Sequence, residues 1–396
     1  MDCKIKTKRH PAWSLWMLLA VYLFFSFNDM QTSAQTGNSG ADRGLAHAVL
    51  LVLTGYLIFY FFQNTLAKKL KLQVPSSILK ILFFIMGWIL LVDIICTADF
   101  WSMAVQINMS LLWILSFYFF SSYVQKQAEA ICLIDRFVWV VMLFYCVSEV
   151  YYIIYMMGKY NRFPVLNLAY NIVALLPWLL INPKCNKKLV YAVTIIAVFA
   201  SMKRGAIISI AAMLLIETWA DSKVKKKPIK ALIKISIVVL ALFAAFGIAD
   251  YFTNGLISTR FSLEQLESGS GRMDMWGIAI KAISERNVFS FLIGGGNGSS
   301  VALLGTGVHN EWLEFLFSFG AIGLLFYIGL IISFVKQTVS MFHRAPEYAP
   351  ACCAMLVFYL IISMVSTGYG GYVGFLLFGF WGYVDGLVRK KERKPG

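Results

Sequence analysis

Four polar side chains stand together where a long apolar run begins. The stretch GVHNEWLEFLFSFGAIGLL covers residues 307–325, and its polar members are His309, Asn310, Glu311 and Glu314. Histidine titrates near neutral pH, so His309 can act as a general base or bind a phosphate. Asn310 favours the N-cap of a helix, and the two glutamates suit its first turn electrostatically. That structural account leaves His309, one of four histidines in the chain, unexplained.

Two arginines lie at other breaks in the apolar pattern. Arg204 sits in the turn SMKRGAIIS, where a charge at membrane level is costly and often functional. Arg272 follows SGSG and begins a predicted amphipathic helix. Its apolar stripe is Met273, Trp276, Ile280 and Ile283. A positive charge opposes the helix dipole at the N-terminus, so Arg272 is not expected to stabilise this helix. The plainer alternatives are a solvated arginine at 272 and a snorkelling one at 204.

Other polar groups accompany these residues. Asp93 and Glu149 interrupt apolar runs, and we expect them to pair with arginines or to line the same cavity. Arg260 lies in the long polar segment that begins at Asp250 and is a candidate substrate-binding residue, as are Asn310 and Glu314. The stretch GGGNGSS at 294–300 could cradle a phosphate with backbone amides, but it lacks the Lys-Ser/Thr ending of a P-loop. A flexible connector is the favoured interpretation.

Composition identifies the elements that must position these groups. The 396-residue chain is 59% hydrophobic and 14% charged, whereas soluble domains carry about 25% charged residues. Apolar runs of bilayer length recur throughout, which predicts an all-α polytopic membrane protein. We predict about twelve spans, at 12–28, 44–63, 77–97, 103–123, 137–157, 164–182, 188–202, 205–220, 229–249, 311–335, 350–366 and 370–388. The first run, 13–27, is expected to be a span and not a cleaved signal peptide.

Basic residues predict the orientation. Lysines and arginines collect before the first span, in alternate loops and after the last span, which predicts cytoplasmic N- and C-termini. The net charge of +15 therefore reflects membrane topology and not nucleic-acid binding. We predict one membrane domain over 1–396, with helices one to nine in 1–249, an extracytoplasmic loop in 250–310, helices ten to twelve in 311–388 and a cytoplasmic tail in 389–396.

The predicted outer face lacks the usual catalytic and metal-binding patterns. No Ser/His/Asp arrangement, zinc motif or Asp-x-Asp motif occurs there. A metal-independent site of arginines and a histidine is what remains. Such a group suits a diphosphate better than a neutral substrate.

Three segments together resemble the O-antigen ligase/polymerase superfamily of bacterial envelope glycosyltransferases. They are the turn SMKRGAIIS, the SGSGRMDMW of a long outer loop, and HNEWLEFLFSFGAIG at the start of the following span. Each is weak alone, and the order of the three within about twelve spans makes the match specific. The resemblance covers mainly residues 190–335.

The resemblance implies a GT-C-like membrane glycosyltransferase in the bacterial cytoplasmic membrane, with an extracytoplasmic active site and no metal or cofactor. The donor would be a glycan on undecaprenyl diphosphate, and the acceptor another glycan or a lipid. Arg204 and Arg272 would neutralise the diphosphate leaving group. His309 would orient or deprotonate the attacking hydroxyl, or contact phosphate. Membrane lipid, a chain-length regulator and a flippase are the further partners expected.

Two activities share these motifs. A polymerase joins repeat units on the lipid carrier, whereas a ligase transfers the glycan to lipid A-core or another terminal acceptor. The Lys-Arg-Gly turn and the His-Asn-x-Trp-Leu-Glu form favour the polymerase. A transporter or flippase is the alternative from another class, but transporters usually show repeated halves with paired broken helices.

Overall fold

The computed structural model describes residues 13–36, 44–66, 76–96, 100–161, 163–262, 271–366 and 371–393. Every regular element within these ranges is a helix. The first nine are α1 (Trp13–Thr36), α2 (Gly44–Leu66), α3 (Ser77–Cys96), α4 (Phe100–Lys126), α5 (Ala130–Tyr160), α6 (Leu168–Leu180), α7 (Lys187–Ala200), α8 (Arg204–Lys225) and α9 (Pro228–Phe252). Four short helices follow: α10 (Leu256–Arg260), α11 (Arg272–Ser284), α12 (Val288–Ile293) and α13 (Ser299–Leu304). The last three are α14 (Glu311–Arg344), α15 (Ala349–Val365) and α16 (Gly371–Glu392).

The helices confirm an all-α membrane protein. Seven segments of the described chain are long and apolar enough to cross a bilayer: Ser77–Cys96, Ile107–Lys126, Ala130–Tyr160, Arg204–Lys225, Pro228–Phe252, Glu311–Arg344 and Pro346–Val365. Each of the twelve predicted spans coincides with a helix, but the count of twelve crossings stays a prediction. Helix α8, which coincides with the eighth predicted span at 205–220, continues through polar residues to Lys225.

Helix α14 is broken near its start. Gly320 has φ 69° and ψ −173°, a conformation essentially restricted to glycine. A Cβ there would also meet the backbone of Leu292 and Ile293. Residues 311–319 therefore form a short first part, and residues 321–344 form a second part long enough to cross a bilayer alone. The sequence predicted a span over 311–335 without this break, since a glycine within an apolar run gives no sign of one.

Donors from outside the helix occupy the carbonyls that the break leaves open. A helix C-terminus has carbonyls without intrahelical partners. The oxygen of Phe317 accepts from the Gly295 amide at 3.1 Å and from Arg286 Nη1 at 2.7 Å. The oxygen of Ser318 accepts from the Gly296 amide at 2.8 Å. The oxygen of Phe319 accepts from Trp88 Nε1 of α3 at 2.9 Å. The break is thus a supported element of the fold.

The contacts distinguish two ends of the helix bundle. At the first, which we call the loop end, the described residues 253–262 and 271–310 join the C-terminal end of α3 and the N-terminal ends of α8 and α14. At the second, the ion-paired end, six ion pairs connect described residues. They are Lys187–Glu217, Lys225–Asp221, Lys234–Asp221, Arg344–Glu392, Arg389–Asp385 and Lys391–Glu347.

Candidate active site at the loop end

Three helix N-termini carry the predicted functional residues. Arg204 is the first residue of α8, Arg272 is the first residue of α11, and His309 and Asn310 immediately precede α14. The N-terminal end of a helix carries a partial positive charge. Each helix therefore adds to the positive potential of its basic residue, and none of these arginines stabilises the helix that it begins.

Arg204 and Arg260 connect two of these elements. The guanidinium Nη1 of Arg204 donates to the backbone oxygen of Arg260 at 2.8 Å, which ties the start of α8 to the end of α10. The Nε of Arg260 is buried and has no hydrogen-bond partner among the residues that the structure describes. Burial, and then the charge of Arg204, lower the pKa of Arg260. Two guanidinium groups are thus held together despite their mutual repulsion.

Lys203 is a further cation of this group, and it was not predicted as a site residue. It occupies the N-cap of α8, and its Nζ lies 5.5 Å from the ring centroid of Tyr170. Burial first, and then the charges of Arg272, Arg260 and Arg204, lower the pKa of Lys203 to about 8. The sequence contained one signal for it, its position beside Arg204 in the turn.

His309 lies within electrostatic range of two of these cations. The side chain is half-buried, and its Nε2 lies 3.5 Å from the Thr306 hydroxyl. Burial, followed by the charges of Arg272 and Lys203, lowers the pKa of His309, and Glu314 acts in the opposite direction. An imidazole with a pKa below 6.5 is neutral at neutral pH. It can therefore accept a proton from a substrate hydroxyl.

The backbone at His309 is held in an uncommon conformation. Its φ is 55°, in the left-handed region, which costs energy for residues other than glycine. The preceding residue, Val308, is fixed on both sides: its amide donates to Glu314 Oε2 at 3.1 Å, and its oxygen accepts from Trp276 Nε1 at 2.9 Å. Such conformations persist where the surroundings over-determine them, often at functional sites. The orientation of His309 is thus set by its neighbours.

Asn310 has the capping role that its type predicts. Its Oδ1 accepts from the amide of Leu313 at 3.0 Å, and its Nδ2 donates to the oxygen of Met364 in α15 at 3.3 Å. Asn310 was also predicted to bind substrate. In this structure both polar atoms of its side chain bind protein, so the residue positions His309 and joins α14 to α15.

The two glutamates of α14 are buried and bonded to protein. Glu314 is 7% exposed, and its Oε1 accepts from the hydroxyls of Ser300 at 2.7 Å and Ser318 at 2.9 Å. Together with its bond to Val308, these contacts make Glu314 the group that organises residues 300–309, whereas the sequence predicted a substrate-binding carboxylate. Glu311 accepts from the hydroxyl of Tyr359 at 3.1 Å and joins α14 to α15.

Asp93 has a structural contact that the sequence did not indicate. Its Oδ1 accepts from the Asn297 amide at 2.8 Å. The neighbouring amides of Gly295 and Gly296 are bonded to the end of the first part of α14. The glycine-rich segment is thus fixed between α3 and α14, and these amides are engaged by protein. It is neither the predicted flexible connector nor the alternative phosphate cradle.

Glu149 lies apart from the cations. It is 2% exposed within α5, and its carboxylate makes no hydrogen bond with any residue that the structure describes. Lys203, Arg260 and Arg272 at the loop end have no electrostatic effect on this carboxylate. The structure therefore does not bring Glu149 to the group formed by Arg204, Arg272 and His309.

Helix α11 covers the segment that leads to His309. Ala279 and Ile283 are buried and pack with Val308 and Phe317, and Trp276 lies beside them. Met273 and Ile280, which were predicted to share this stripe, are 56% and 54% exposed. The face that packs against protein is therefore centred on Ala279 and Ile283, and contact of Met273 and Ile280 with the membrane surface stays a prediction.

The described residues contain no group of three His, Cys, Asp or Glu side chains that could hold a metal ion. The cations and His309 are instead arranged for an anion. Guanidinium groups bind phosphate oxygens in pairs, and a helix N-terminus attracts negative charge. A neutral imidazole beside them supplies an acceptor for one proton.

Comparison with known families adds an independent observation. A family model described as O-Antigen ligase matches residues 189–328. The match confirms the resemblance to the O-antigen ligase/polymerase superfamily. The matched O-antigen ligase region contains Arg204, Arg272 and His309. A search of curated proteins finds no match. The helices and the family together indicate a membrane glycosyltransferase-like enzyme.

Parts of the site lie outside the O-antigen ligase region. Tyr170 precedes it, and Met364, which binds Asn310, follows it. Asp93 comes from α3, about 100 residues before the matched region begins. The matched region therefore contributes the cations and the histidine, and helices on either side of it in the sequence complete their surroundings.

Proposed function

We propose that this protein is a polymerase of a bacterial surface polysaccharide. It transfers a glycan from an undecaprenyl-diphosphate donor to a sugar hydroxyl on a second lipid-linked glycan. The loop end faces the outside of the cytoplasmic membrane, and both termini face the cytoplasm. ATP and nucleotide-sugars are absent on that side, so the donor itself supplies the energy. The reaction uses no metal.

One observation carries the proposal. Arg204, Arg260 and Arg272 lie within electrostatic range of Lys203, and Lys203 and Arg272 lie within range of His309. Lys203, Arg260 and Arg272 form no ion pair with any described residue. Holding like charges together costs free energy. A diphosphate would offset that cost, because its negative oxygens replace repulsion with charge-assisted hydrogen bonds.

The chemistry follows from the arrangement. The oxygen of the acceptor hydroxyl attacks the anomeric carbon of the donor and forms the new glycosidic bond. The bond between that carbon and the phosphate oxygen breaks, and its electron pair stays on the diphosphate. Arg204, Arg260 and Arg272 stabilise this developing charge, and neutral His309 takes the proton of the hydroxyl. A single displacement inverts the configuration at the anomeric carbon.

A product assay tests this function. The full chain, reconstituted in lipid nanodiscs with chelator present, is supplied with a purified undecaprenyl-diphosphate glycan. The proposal expects release of undecaprenyl diphosphate together with lipid-linked products of two or more repeat units. Arg204→Ala should lose both, and Lys391→Ala, at the ion-paired end, should lose neither. Donor that remains intact with every acceptor offered would overturn the proposal, as would activity that requires added Mg²⁺ or Mn²⁺.

A ligase is the second candidate, favoured by the O-Antigen ligase description of the matching family. A deletion strain separates the two activities. Without a polymerase, the terminal acceptor still receives a single repeat unit, which gives a one-unit band on a gel of surface glycans. Without a ligase, the acceptor stays bare and polymer accumulates on its lipid carrier. The second pattern would move the assignment to the ligase and leave the diphosphate site in place.

A further inference from the structure

Tyr170 places a buried hydroxyl at the start of α8. The residue belongs to the first turn of α6 and is 4% exposed. Its hydroxyl has no hydrogen-bond partner among the residues that the structure describes. Burying a hydroxyl without a partner costs free energy, and nearly all buried polar atoms in folded proteins are bonded. An unpartnered hydroxyl in this position points to a ligand that supplies the missing hydrogen-bond partner.

Gly205 determines where the hydroxyl lies. A Cβ built on Gly205 would overlap the Tyr170 hydroxyl, and it would lie 3.2 Å from Cγ2 of Val365 on another side. The hydroxyl therefore occupies the space that any other residue would fill, directly against the first turn of α8. The glycine of the Lys-Arg-Gly turn is needed for this close approach.

The first turn of α8 is suited to an anion. The helix has 22 residues and no side-chain cap at its N-terminus. Its first hydrogen bonds run from the amides of Ala206 and Ile207 to the oxygen of Lys203, both at 3.0 Å. The amide of Gly205 precedes these bonds. Lys203 lies over the ring of Tyr170, and Arg272 lies within electrostatic range of its hydroxyl.

We propose that the Tyr170 hydroxyl and the Gly205 amide at the N-terminus of α8 form a phosphate subsite. The hydroxyl donates a hydrogen bond to a non-bridging oxygen of a diphosphate, and the helix N-terminus and Lys203 bind the same phosphate. This rests on the proposed function, in which the diphosphate belongs to the glycan donor. It assigns Tyr170 a binding role that the sequence does not suggest, since a tyrosine in an apolar run is ordinarily a core aromatic.

The subsite fixes one phosphate relative to the reacting carbon. Guanidinium groups on long side chains can follow a moving anion, whereas a helix backbone and a locked phenol cannot. The contribution of Tyr170 is therefore orientation: it holds the leaving group where Arg204 and Arg272 meet its developing charge. A loss of this hydroxyl should weaken binding of the donor and of its released diphosphate together.

The test is equilibrium binding of inorganic pyrophosphate to the full chain in nanodiscs, measured by calorimetry. Tyr170→Phe removes the hydroxyl and keeps the ring, and we expect its Kd to rise about tenfold, the usual effect of losing one hydrogen bond to a charged group. The matched control is Tyr123→Phe, because the Tyr123 hydroxyl in α4 is also buried without a described partner. Its Kd should stay within twofold of the unaltered chain. The KM for the lipid-linked donor should follow the Kd in both variants.

A second variant keeps the proposal testable if Tyr170→Phe misfolds. Gly205→Ala displaces the hydroxyl and leaves Tyr170 in the chain, so its Kd for pyrophosphate should also rise. Unchanged binding in Tyr170→Phe, with binding lost in Arg272→Ala, would overturn the subsite and leave the proposed donor site standing. Equal weakening in Tyr170→Phe and Tyr123→Phe would also overturn it, as a general effect of packing. No pyrophosphate binding by the unaltered chain would overturn the subsite, whereas failure of the proposed function would appear as absence of transfer in the product assay.

Discussion

The two ends of the bundle use the same basic residue types for different purposes. At the ion-paired end, Arg344 lies 2.6 Å from Glu392, and Arg389 lies 2.8 Å from Asp385. At the loop end, Arg260 and Arg272 form no ion pair with a described residue. These basic residues of the ion-paired end are neutralised by the protein itself. Those of the loop end are arranged for a charge that the described protein does not supply.

Capacity to bind an anion depends on whether the cations already have counter-ions within the protein. The ion-paired end has a groove lined by Lys336, Arg344 and Arg389, but Asp385 and Glu392 line it as well. Exposed pairs of this kind contribute about 0–1 kcal/mol each, so their loss changes little. Cations without counter-ions destabilise the folded state, and they stabilise an anion that binds to them. Substitutions should therefore affect activity at the loop end and barely affect it at the other.

The largest effect is expected at His309. His309→Asn should lower kcat about 10²–10⁴-fold, because the proton acceptor is lost. Asparagine tolerates the left-handed backbone at this position better than most residues, so folding should be retained. His343→Asn near the end of α14 is the control and should keep full activity. A kcat for His309→Asn within tenfold of the unaltered chain would show that the imidazole is not the base.

Arg272 should come second. Arg272→Ala removes one cation from the leaving group, and kcat should fall about 10²–10³-fold. Arg272→Lys should recover only part of this, because an ammonium group cannot bind two oxygens at once. Arg344→Ala, which breaks a pair at the other end, should change kcat less than twofold. Equal losses in Arg272→Ala and Arg344→Ala would remove the distinction between the two ends.

The charge of Glu314 should affect the pH dependence of activity. Glu314→Gln loses the charge that raises the pKa of His309, so that pKa should fall further. The acidic limb of kcat/KM, which reports protonation of the base in the free enzyme, should move to lower pH. We also expect kcat to fall about tenfold, since the bond that holds Val308 is disturbed. Glu347→Gln at the ion-paired end is the control, and a limb that moves to higher pH would contradict the assignment.

The smallest effect is expected from Lys203. Its pKa of about 8 means that it is charged below pH 8 and loses its charge as the pH rises through 8. The KM for the lipid-linked donor should therefore rise a few-fold between pH 7 and pH 9. In Lys203→Arg the charge persists over this range, so the rise should disappear. The same rise in both proteins would show that Lys203 does not bind the donor.

Much of this site could be predicted from local sequence. Arg272 and Asn310 each follow a break in the apolar pattern, and each lies at a helix start as predicted. Arg204, which was predicted in a turn, is the first residue of α8. Such breaks are visible because glycine, serine and asparagine interrupt the periodicity. The basic loops predicted a common side for the three segments, and the structure brings Arg272 and His309 into electrostatic range of each other.

What could not be predicted depends on contacts distant in the sequence. The role of Tyr170 requires Gly205, and the role of Asp93 requires Asn297. Neither partner is indicated by spacing within a single helix. The break at Gly320 was missed for the same reason, since the donors that stabilise it come from α3 and from residues 286–296. Hydrophobic periodicity describes one helix at a time, whereas these features depend on contacts between two elements.

The break in α14 also sets an order in which the molecule is completed during synthesis. Trp88 and Phe319, which bond across the break, are 231 residues apart. At about 5–20 residues per second, the ribosome needs roughly 10–50 s to make that interval. The early helices are therefore made well before the loop end can close around them. A chain that is released before α14 is translated lacks Glu314, whose bond to the Val308 amide holds the backbone beside His309, so only a full translation cycle yields an active molecule.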